Sequence, residues 1–177
     1  MPPRIIFVAS PNFSTRTKPI SAIVVHYTGS LTTESCVAWF QRPESKVSAH
    51  YVVGRDGNVV QMVADDKVAW HAGRSAMAPN ASAGDPAAEP NVNAFSIGIE
   101  LVGTADSGFT DRQMASLYGL IEILATTYRI PPERVVGHCH IAPGRKIDPD
   151  GYSHQFNWRR VREVAAAAYG TRPFVGG

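Results

Sequence analysis

A run of β-branched and apolar residues at positions 21–27, with the sequence SAIVVHY, is the feature that most constrains the fold. The run is too continuous for a strand with one face in water. It therefore predicts a central strand that is buried on both faces and ends near His26. Further strands are predicted at residues 50–53, 59–63, 94–102 and 134–138. Asp56-Gly57, between two of these segments, predicts a hairpin turn.

Helical patterns alternate with these strands. Residues 32–41 predict a helix that ends before Pro43, and Thr110-x-x-Gln113 predicts a capping box at the start of a longer helix. Apolar residues then recur at helical spacing and predict a core-facing stripe: Met114, Leu117, Tyr118, Ile121, Leu124, Ala125 and Tyr128. A closing helix is indicated by Trp158, Val161, Val164, Ala165 and Ala168. This order predicts an α/β fold with a central mixed β-sheet flanked by helices, in a single domain over residues 1–177 with its core at about 20–169.

Composition excludes several classes of protein. Seventeen Lys and Arg residues against fifteen Asp and Glu residues are too balanced for a nucleic-acid-binding protein. No apolar run approaches the ~18 residues of a membrane-spanning helix. The apolar residues 5–9 are too few for a signal peptide, so they predict an N-terminal strand or packed arm and a cytoplasmic protein. Cys36 and Cys139 are then expected to be reduced thiols.

Two histidines lie at the ends of predicted strands. His26 ends the first buried strand, and His138 ends the segment 134–138. Ligands bind at strand ends in open α/β sheets, so these side chains are candidates to face each other across a crevice. Asp148 follows in the next loop. Two histidines and one carboxylate leave a fourth position open for water, which is the arrangement typical of catalytic zinc.

Spacing alone does not decide which histidine near this loop binds the metal. His140 lies two positions after His138, so on a strand both side chains would share one face. Cys139 would then point to the opposite face and is expected to be a small buried residue. The choice between His138 and His140 stays open at this level.

Five segments occur in a characteristic order along the chain: IVVHYTGS, VSAHYVVGRDGNVVQ, AWHAG, SIGIELVG and VVGHCHIAPGRKIDP. Over about residues 20–158 they resemble the zinc-dependent N-acetylmuramoyl-L-alanine amidases of the AmpD type. Relatives of that family include amidase-type phage lysozymes and the peptidoglycan recognition proteins. The resemblance implies the same amidase-like α/β fold.

The resemblance also assigns roles to residues. It implies one zinc ion held by His26, His138 and Asp148. It implies Glu100 as the general base and Lys146 as the group that stabilises the oxyanion. The remaining assignments are substrate contacts from His71, Trp70 and Tyr27, and a supporting position for His50 near the site.

Plainer alternatives exist for these side chains. A lone glutamate in a strand is commonly solvated, Lys146 lies beside Arg145 as an ordinary surface lysine would, and Trp70 could pack against the hairpin. The chain departs from the usual family pattern at His140, where relatives often have aspartate. His140 and His154 receive no role.

The implied reaction is hydrolysis of the amide between N-acetylmuramic acid, including 1,6-anhydro forms, and the L-alanine of the stem peptide. The partner is then peptidoglycan or a muropeptide. Alternatives are a phage-type endolysin that acts on intact wall and a non-catalytic peptidoglycan-binding module. The three retained ligands favour catalysis, and the absence of basic wall-binding repeats favours a recycling enzyme. Residues 74–93 lack periodicity and predict a long loop that is either functional or mobile.

Overall fold

A six-stranded mixed sheet forms the centre of the protein. A computed structural model describes the chain over residues 3–78, 87–151 and 156–170. The strands in these ranges are β1 (Ile5–Phe7), β2 (Phe13–Thr15), β3 (Ala22–Tyr27), β4 (Tyr51–Val53), β5 (Val59–Gln61), β6 (Lys67–Ala69), β7 (Ala76–Met77), β8 (Glu89–Pro90), β9 (Ser96–Leu101) and β10 (Val135–Gly137). The helices are α1 (Thr33–Phe40), α2 (Asp111–Tyr128), α3 (His138–Ile141) and α4 (Trp158–Gly170). Short 3₁₀ turns cover Pro43–Ser45, Val92–Phe95 and Pro132–Arg134.

The central sheet has the strand order β1-β5-β4-β9-β3-β10. Strand β3 pairs in parallel with both β9 and β10, and β4 adds to β9 in parallel, whereas β4 and β5 form the antiparallel hairpin. The predicted mixed α/β sheet is confirmed, as is the predicted burial of β3. The apolar N-terminal segment forms the edge strand β1 beside β5. Because four neighbouring strands run in parallel, their carboxyl ends meet at one edge.

Helices α2 and α4 cover one face of this sheet. Alternate residues of β3 and β9 pack there against the predicted stripe of α2, including Ile23, Ile99 and Leu117. On the other face the apolar side chains form two smaller clusters, one around Val24 and Phe95 and one around α1. His26 and Glu100 belong to this second face because the β3–β9 register places them side by side.

Two local predictions need correction. Strand β10 ends at Gly137, and His138 begins the short helix α3 instead of ending the strand. The argument that His138 and His140 share a strand face is therefore wrong. The predicted capping box is only half formed, since Thr110 Oγ1 accepts from the Gln113 backbone N–H. The Gln113 side chain instead donates to the carbonyls of Val53 and Val102, so it joins α2 to the sheet.

The segment 74–93 is partly structured, because β7 and β8 pair in antiparallel fashion within it. Its residues 79–86 lie outside the described part of the chain, as does His154. Cys36 and Cys139 are both free thiols. Cys139 lies in α3, half-buried, with Sγ 3.8 Å from Asp150 Oδ2. No helix among the described residues is long and apolar enough to cross a bilayer.

Candidate active site

Three buried side chains converge at the carboxyl end of the parallel strands. His26 comes from the end of β3, His138 from the first position after β10, and Asp148 from the following loop. Nδ1 of His26 lies 3.0 Å from Nδ1 of His138 and 3.2 Å from Oδ2 of Asp148. The remaining distance, from His138 Nδ1 to Asp148 Oδ2, is 3.1 Å. The structure thus brings together the three predicted ligands and leaves His140 outside this group.

The donor set of this triad fits a metal ion. All three residues are at least nine-tenths buried, and each directs one lone-pair atom at the other two. Ligands about 2.05 Å from a tetrahedral zinc lie about 3.3 Å apart, which is close to the distances within the triad. Burial raises the pKa of Asp148, but His138 and His26 outweigh that effect and hold it below its usual range. Burial lowers the pKa of His26 to about 4. Asp148 is therefore ionised and His26 is neutral at pH 7, and these are the forms in which the two side chains bind a cation.

The far nitrogen of each ligand histidine has its own partner. Nε2 of His138 lies 3.0 Å from the carbonyl oxygen of Ala72. Nε2 of His26 lies 3.0 Å from Nδ1 of His71, which precedes Ala72 in the chain. His71 therefore stands behind His26 and contacts it directly, while also lining the cleft described below.

Glu100 lies in β9 directly beside His26. It is 9% exposed, and its Oε2 has no hydrogen-bond partner among the described residues. Burial, followed by the charge of Asp148, raises the pKa of Glu100 to about 8, and Lys146 acts in the opposite direction. The predicted alternation is confirmed, because Ile99 and Leu101 face the helix-covered core while Glu100 faces the cleft. A buried carboxylate that can take up a proton is suited to general base chemistry.

A cleft of about 560 Å³ opens onto the triad and Glu100. Two basic residues line it, Arg145 and Lys146, both exposed, in the loop between α3 and Asp148. Arg145 Nη2 donates to the carbonyls of Ala72, at 3.0 Å, and Arg74, at 2.6 Å, so its position is fixed. Lys146 lines the cleft without a described side-chain hydrogen bond, which leaves its ammonium group available to a ligand.

Aromatic side chains also line the cleft. Tyr27 and Trp70, both predicted as substrate contacts, are among them. Trp70 Nε1 donates to Ser14 Oγ at 2.7 Å, which holds the indole in place. Trp39 of α1 also lines the cleft and is 49% exposed, although it was not among the predicted site residues. The sequence signal that could have identified Trp39 is its position in α1. The buried residues of this helix are Cys36 and Phe40, so the side chain of Trp39 points away from the core.

His50 lies further from the cleft and is completely buried. Its Nδ1 accepts from the Gly98 backbone N–H at 3.0 Å, and its Nε2 lies 3.1 Å from the Lys67 carbonyl. Nη2 of Arg16 lies 3.0 Å from the same Nε2 and donates to the carbonyl of Ser96 at 3.0 Å. Burial lowers the pKa of His50 to about 3, so it is neutral and joins β9 to neighbouring segments. The supporting role of His50 near the site stays a prediction.

His140, two positions after His138 in the sequence, faces away from the triad. Its Nδ1 accepts from the Gly137 backbone N–H at 2.9 Å, and its ring packs on Trp158. Two polar residues that the sequence did not single out are close to the site instead. Asn93 Oδ1 accepts from the backbone N–H groups of His71 and Ala72, and Ser96 Oγ lies 3.1 Å from Nε2 of His71.

An α/β sheet with this buried triad, an adjacent carboxylate and an open cleft indicates a hydrolytic enzyme with a metal-binding site. The chain belongs to the N-acetylmuramoyl-L-alanine amidase family, which matches residues 16–151. It is 34% identical to the 1,6-anhydro-N-acetylmuramyl-L-alanine amidase AmpD of Haemophilus influenzae, over 86% of this chain and 88% of that protein.

Solved structures agree with this membership. A crystal structure of AmpD superposes with a TM-score of 0.74 at 35% identity, covering 92% of this chain and 93% of the other. The amidase AmiD of E. coli, in complex with the substrate anhydro-N-acetylmuramic acid-L-Ala-D-gamma-Glu-L-Lys, superposes with a TM-score of 0.69 at 30% identity. That match covers 82% of this chain and 57% of AmiD. The family that the sequence resembles is therefore confirmed.

Proposed function

We propose that this protein is a zinc-dependent amidase that releases the stem peptide from 1,6-anhydro-N-acetylmuramic acid in peptidoglycan recycling. The observation that carries the proposal is the convergence of the buried triad, Glu100 and Lys146 on one cleft. Relatives named for the 1,6-anhydro substrate support the choice of substrate. Residues 20–169 form the core of the catalytic domain in this proposal. The two free thiols support a cytoplasmic location.

His26, His138 and Asp148 would hold one zinc ion through two Nδ1 atoms and one carboxylate oxygen. Bound there, zinc lowers the pKa of a water molecule, polarises the substrate carbonyl and favours the ionised form of Glu100. The three ligand atoms carry one negative charge in total, so the site keeps a net positive charge when it is loaded.

Glu100 is the general base in this proposal. Its carboxylate takes a proton from the attacking water as the new C–O bond forms, and passes the proton to the nitrogen of L-alanine as the C–N bond breaks. The lactyl group leaves as a carboxylic acid, and the peptide leaves with a free amine. Burial of Glu100, with no partner for Oε2 in the described part of the chain, leaves that oxygen free to accept and release the proton.

Lys146 stabilises the negative charge that develops on the carbonyl oxygen. It lines the cleft next to Arg145, whose guanidinium donates to the carbonyls of Ala72 and Arg74. Tyr27 and Trp70, which also line the cleft, supply surface for the sugar or the first residues of the peptide.

Mass spectrometry of two parallel digests tests the proposal, one of soluble anhydro-muropeptides and one of intact cell wall. The expected result is release of free stem peptide from the soluble substrate, at a rate well above that from intact wall. Faster release from intact wall would instead identify an endolysin-type activity. Binding of muropeptide without cleavage in the zinc-loaded protein would overturn the enzymatic proposal in favour of a recognition module.

A further inference from the structure

The hydrogen bonds around His71 determine which of its nitrogens carries the proton. Ser96 Oγ donates its only hydrogen to the Val92 carbonyl at 2.7 Å. The same oxygen lies 3.1 Å from His71 Nε2, so it can only accept there. His71 therefore carries its hydrogen on Nε2, and the Nδ1 of a neutral His71 is left with a lone pair.

This arrangement also determines the state of His26. Nδ1 of His71 lies 3.0 Å from Nε2 of His26, so Nε2 of His26 must carry a hydrogen and donate it. Nδ1 of His26 is then an unprotonated lone pair, and it is the atom that faces His138 and Asp148. A protonated His71 would reverse this donation and would place a second buried cation beside a metal ion, which is electrostatically unfavourable.

Ala72, next to His71 in the chain, fixes the tautomer of the second histidine ligand, His138, in the same way. The Ala72 carbonyl lies 3.0 Å from Nε2 of His138, which fixes the hydrogen there and leaves Nδ1 free. Asn93 Oδ1 anchors the segment by accepting from the backbone N–H groups of His71, at 3.2 Å, and Ala72, at 2.8 Å. A Cβ on Gly98 would lie 2.3 Å from the His71 ring, so only glycine permits this approach.

We propose that His71 is a positioning residue: with Ser96 behind it, it holds His26 in the Nε2–H tautomer that presents Nδ1 to the metal. The inference rests on the proposed metal site and deepens it. It assigns His71 to a different task from the substrate contact that the sequence predicts. Partners of this kind typically change metal affinity by about 10–100-fold when they are removed.

Nitrogen-15 NMR of the wild-type histidine side chains tests the tautomer directly. Two-bond correlations from the ring C–H protons are expected to show Nε2–H for both His26 and His71 in the metal-free protein at pH 7.5. In the zinc-loaded protein, the Nδ1 signal of His26 should shift on metal binding. An Nδ1–H tautomer at His26, or zinc bound through its Nε2, would overturn the inference. This measurement needs no variant and no activity.

Zinc affinity, measured by competition with a chromophoric chelator, tests the role of His71. His71→Leu removes the acceptor and should weaken zinc binding about 10–100-fold. His71→Asn places an oxygen near the position of Nδ1 and should recover most of that loss. The matched control is His140→Asn, beside the other ligand, which should stay within about threefold of wild type because it keeps the acceptor for Gly137.

Equal zinc affinity in folded His71→Leu and wild type would contradict the inference. If His71→Leu does not fold, Ser96→Ala replaces it and should shift the His71 tautomer populations in the same NMR experiment. A wild-type protein that binds no zinc at all would refute the proposed function instead, and the metal-free NMR result would still establish the tautomer.

Discussion

The two faces of the central sheet are built from the same strands but do different things. In β9, Ile97, Ile99 and Leu101 point to the face covered by α2 and α4, where they join a continuous apolar core. The alternate residues Ser96 and Glu100 point to the other face and are also buried, at 0% and 9% exposure. Period-two alternation thus separates an apolar face from a face that encloses polar groups.

This difference indicates where stability and function come from. Burial of apolar side chains on the helix-covered face stabilises the fold by about 25 cal/mol per Å². On the other face, burial costs free energy wherever a polar group is left unpaired, as at Glu100. The second face holds its polar groups in fixed protonation states by burial, which is what the proposed metal site and the proposed general base require. Substitutions on the two faces should therefore have separable effects.

The largest expected effect is the loss of the proposed metal site. Asp148→Ala removes the only anionic member of the triad, and we expect activity to fall on the order of 10³-fold or more, because a bound metal supplies several kcal/mol of transition-state stabilisation. Zinc stoichiometry and hydrolysis rate should fall together, whereas the exposed control Asp66→Ala should change neither. Chelator treatment of the wild type should abolish activity and added zinc should restore it. Stoichiometric zinc with wild-type turnover in Asp148→Ala would reject the ligand assignment.

On the helix-covered face, Leu117→Ala should affect stability and leave the chemistry intact. Leu117 is fully buried against β9, so a cavity there should lower the free energy of unfolding by about 2–5 kcal/mol. Urea denaturation measures this loss, and the hydrolysis rate of the folded protein should remain near wild type. The matched control is Ile123→Ala on the exposed side of α2, which should change stability by less than about 1 kcal/mol. Equal losses at both positions would mean that α2 does not pack as described.

On the polar face, Glu100→Gln should show the reverse pattern. The amide keeps the shape of the side chain but cannot act as a base, so kcat should fall by at least about 10²-fold while zinc remains bound. Because a partnerless buried carboxylate is removed, the free energy of unfolding should not decrease. Glu122→Gln, on the exposed surface of α2, is the control for the substitution itself. An unchanged kcat in Glu100→Gln would place the base elsewhere.

Much of the difference between the two sheet faces could be predicted from sequence, because it follows from local patterns. The β-branched run before His26 indicates a buried strand, and the alternation around Glu100 indicates which way the carboxylate points. Both are period-two signals within one strand. The ends of parallel strands then bring His26 and His138 to one edge of the sheet. The ordered motifs of the amidase family led to the same residues.

The remaining features depend on contacts between distant segments, which local patterns do not contain. Helix α3 spans only four residues, too few to show helical periodicity, so the placement of His140 was wrong. The contact of His71 with His26 joins residues 45 positions apart and depends on the missing side chain of Gly98. Gln113 matched a capping motif, but the open carbonyls of the sheet are its actual partners.

The last expected effect is a pH dependence of stability that originates in His50 on the polar face. Burial holds the pKa of His50 at about 3, far below the usual ~6.5 of the unfolded chain, so the unfolded state binds the proton first as the pH falls. The Lys67 carbonyl, which accepts from Nε2 of His50, partly opposes this shift, and the nearby charge of Arg16 adds to it. The ring of His71 also faces His50. Neutral His50 makes its full contribution to the free energy of unfolding above pH 6.5. As the pH falls from 6.5 to 3, this contribution should decrease by about 1.4 kcal/mol per pH unit.

His50→Gln isolates this contribution, because the amide can occupy the same cavity without titrating. Urea denaturation of wild type and variant from pH 7.5 to 4.5 measures the two slopes. The variant should be less stable than wild type at pH 7.5, and its stability should fall less steeply below pH 6. Since His26 and His71 titrate in both proteins, only the difference between the slopes reports on His50. Parallel slopes would show that His50 is protonated at its ordinary pKa and that this part of the polar face admits water.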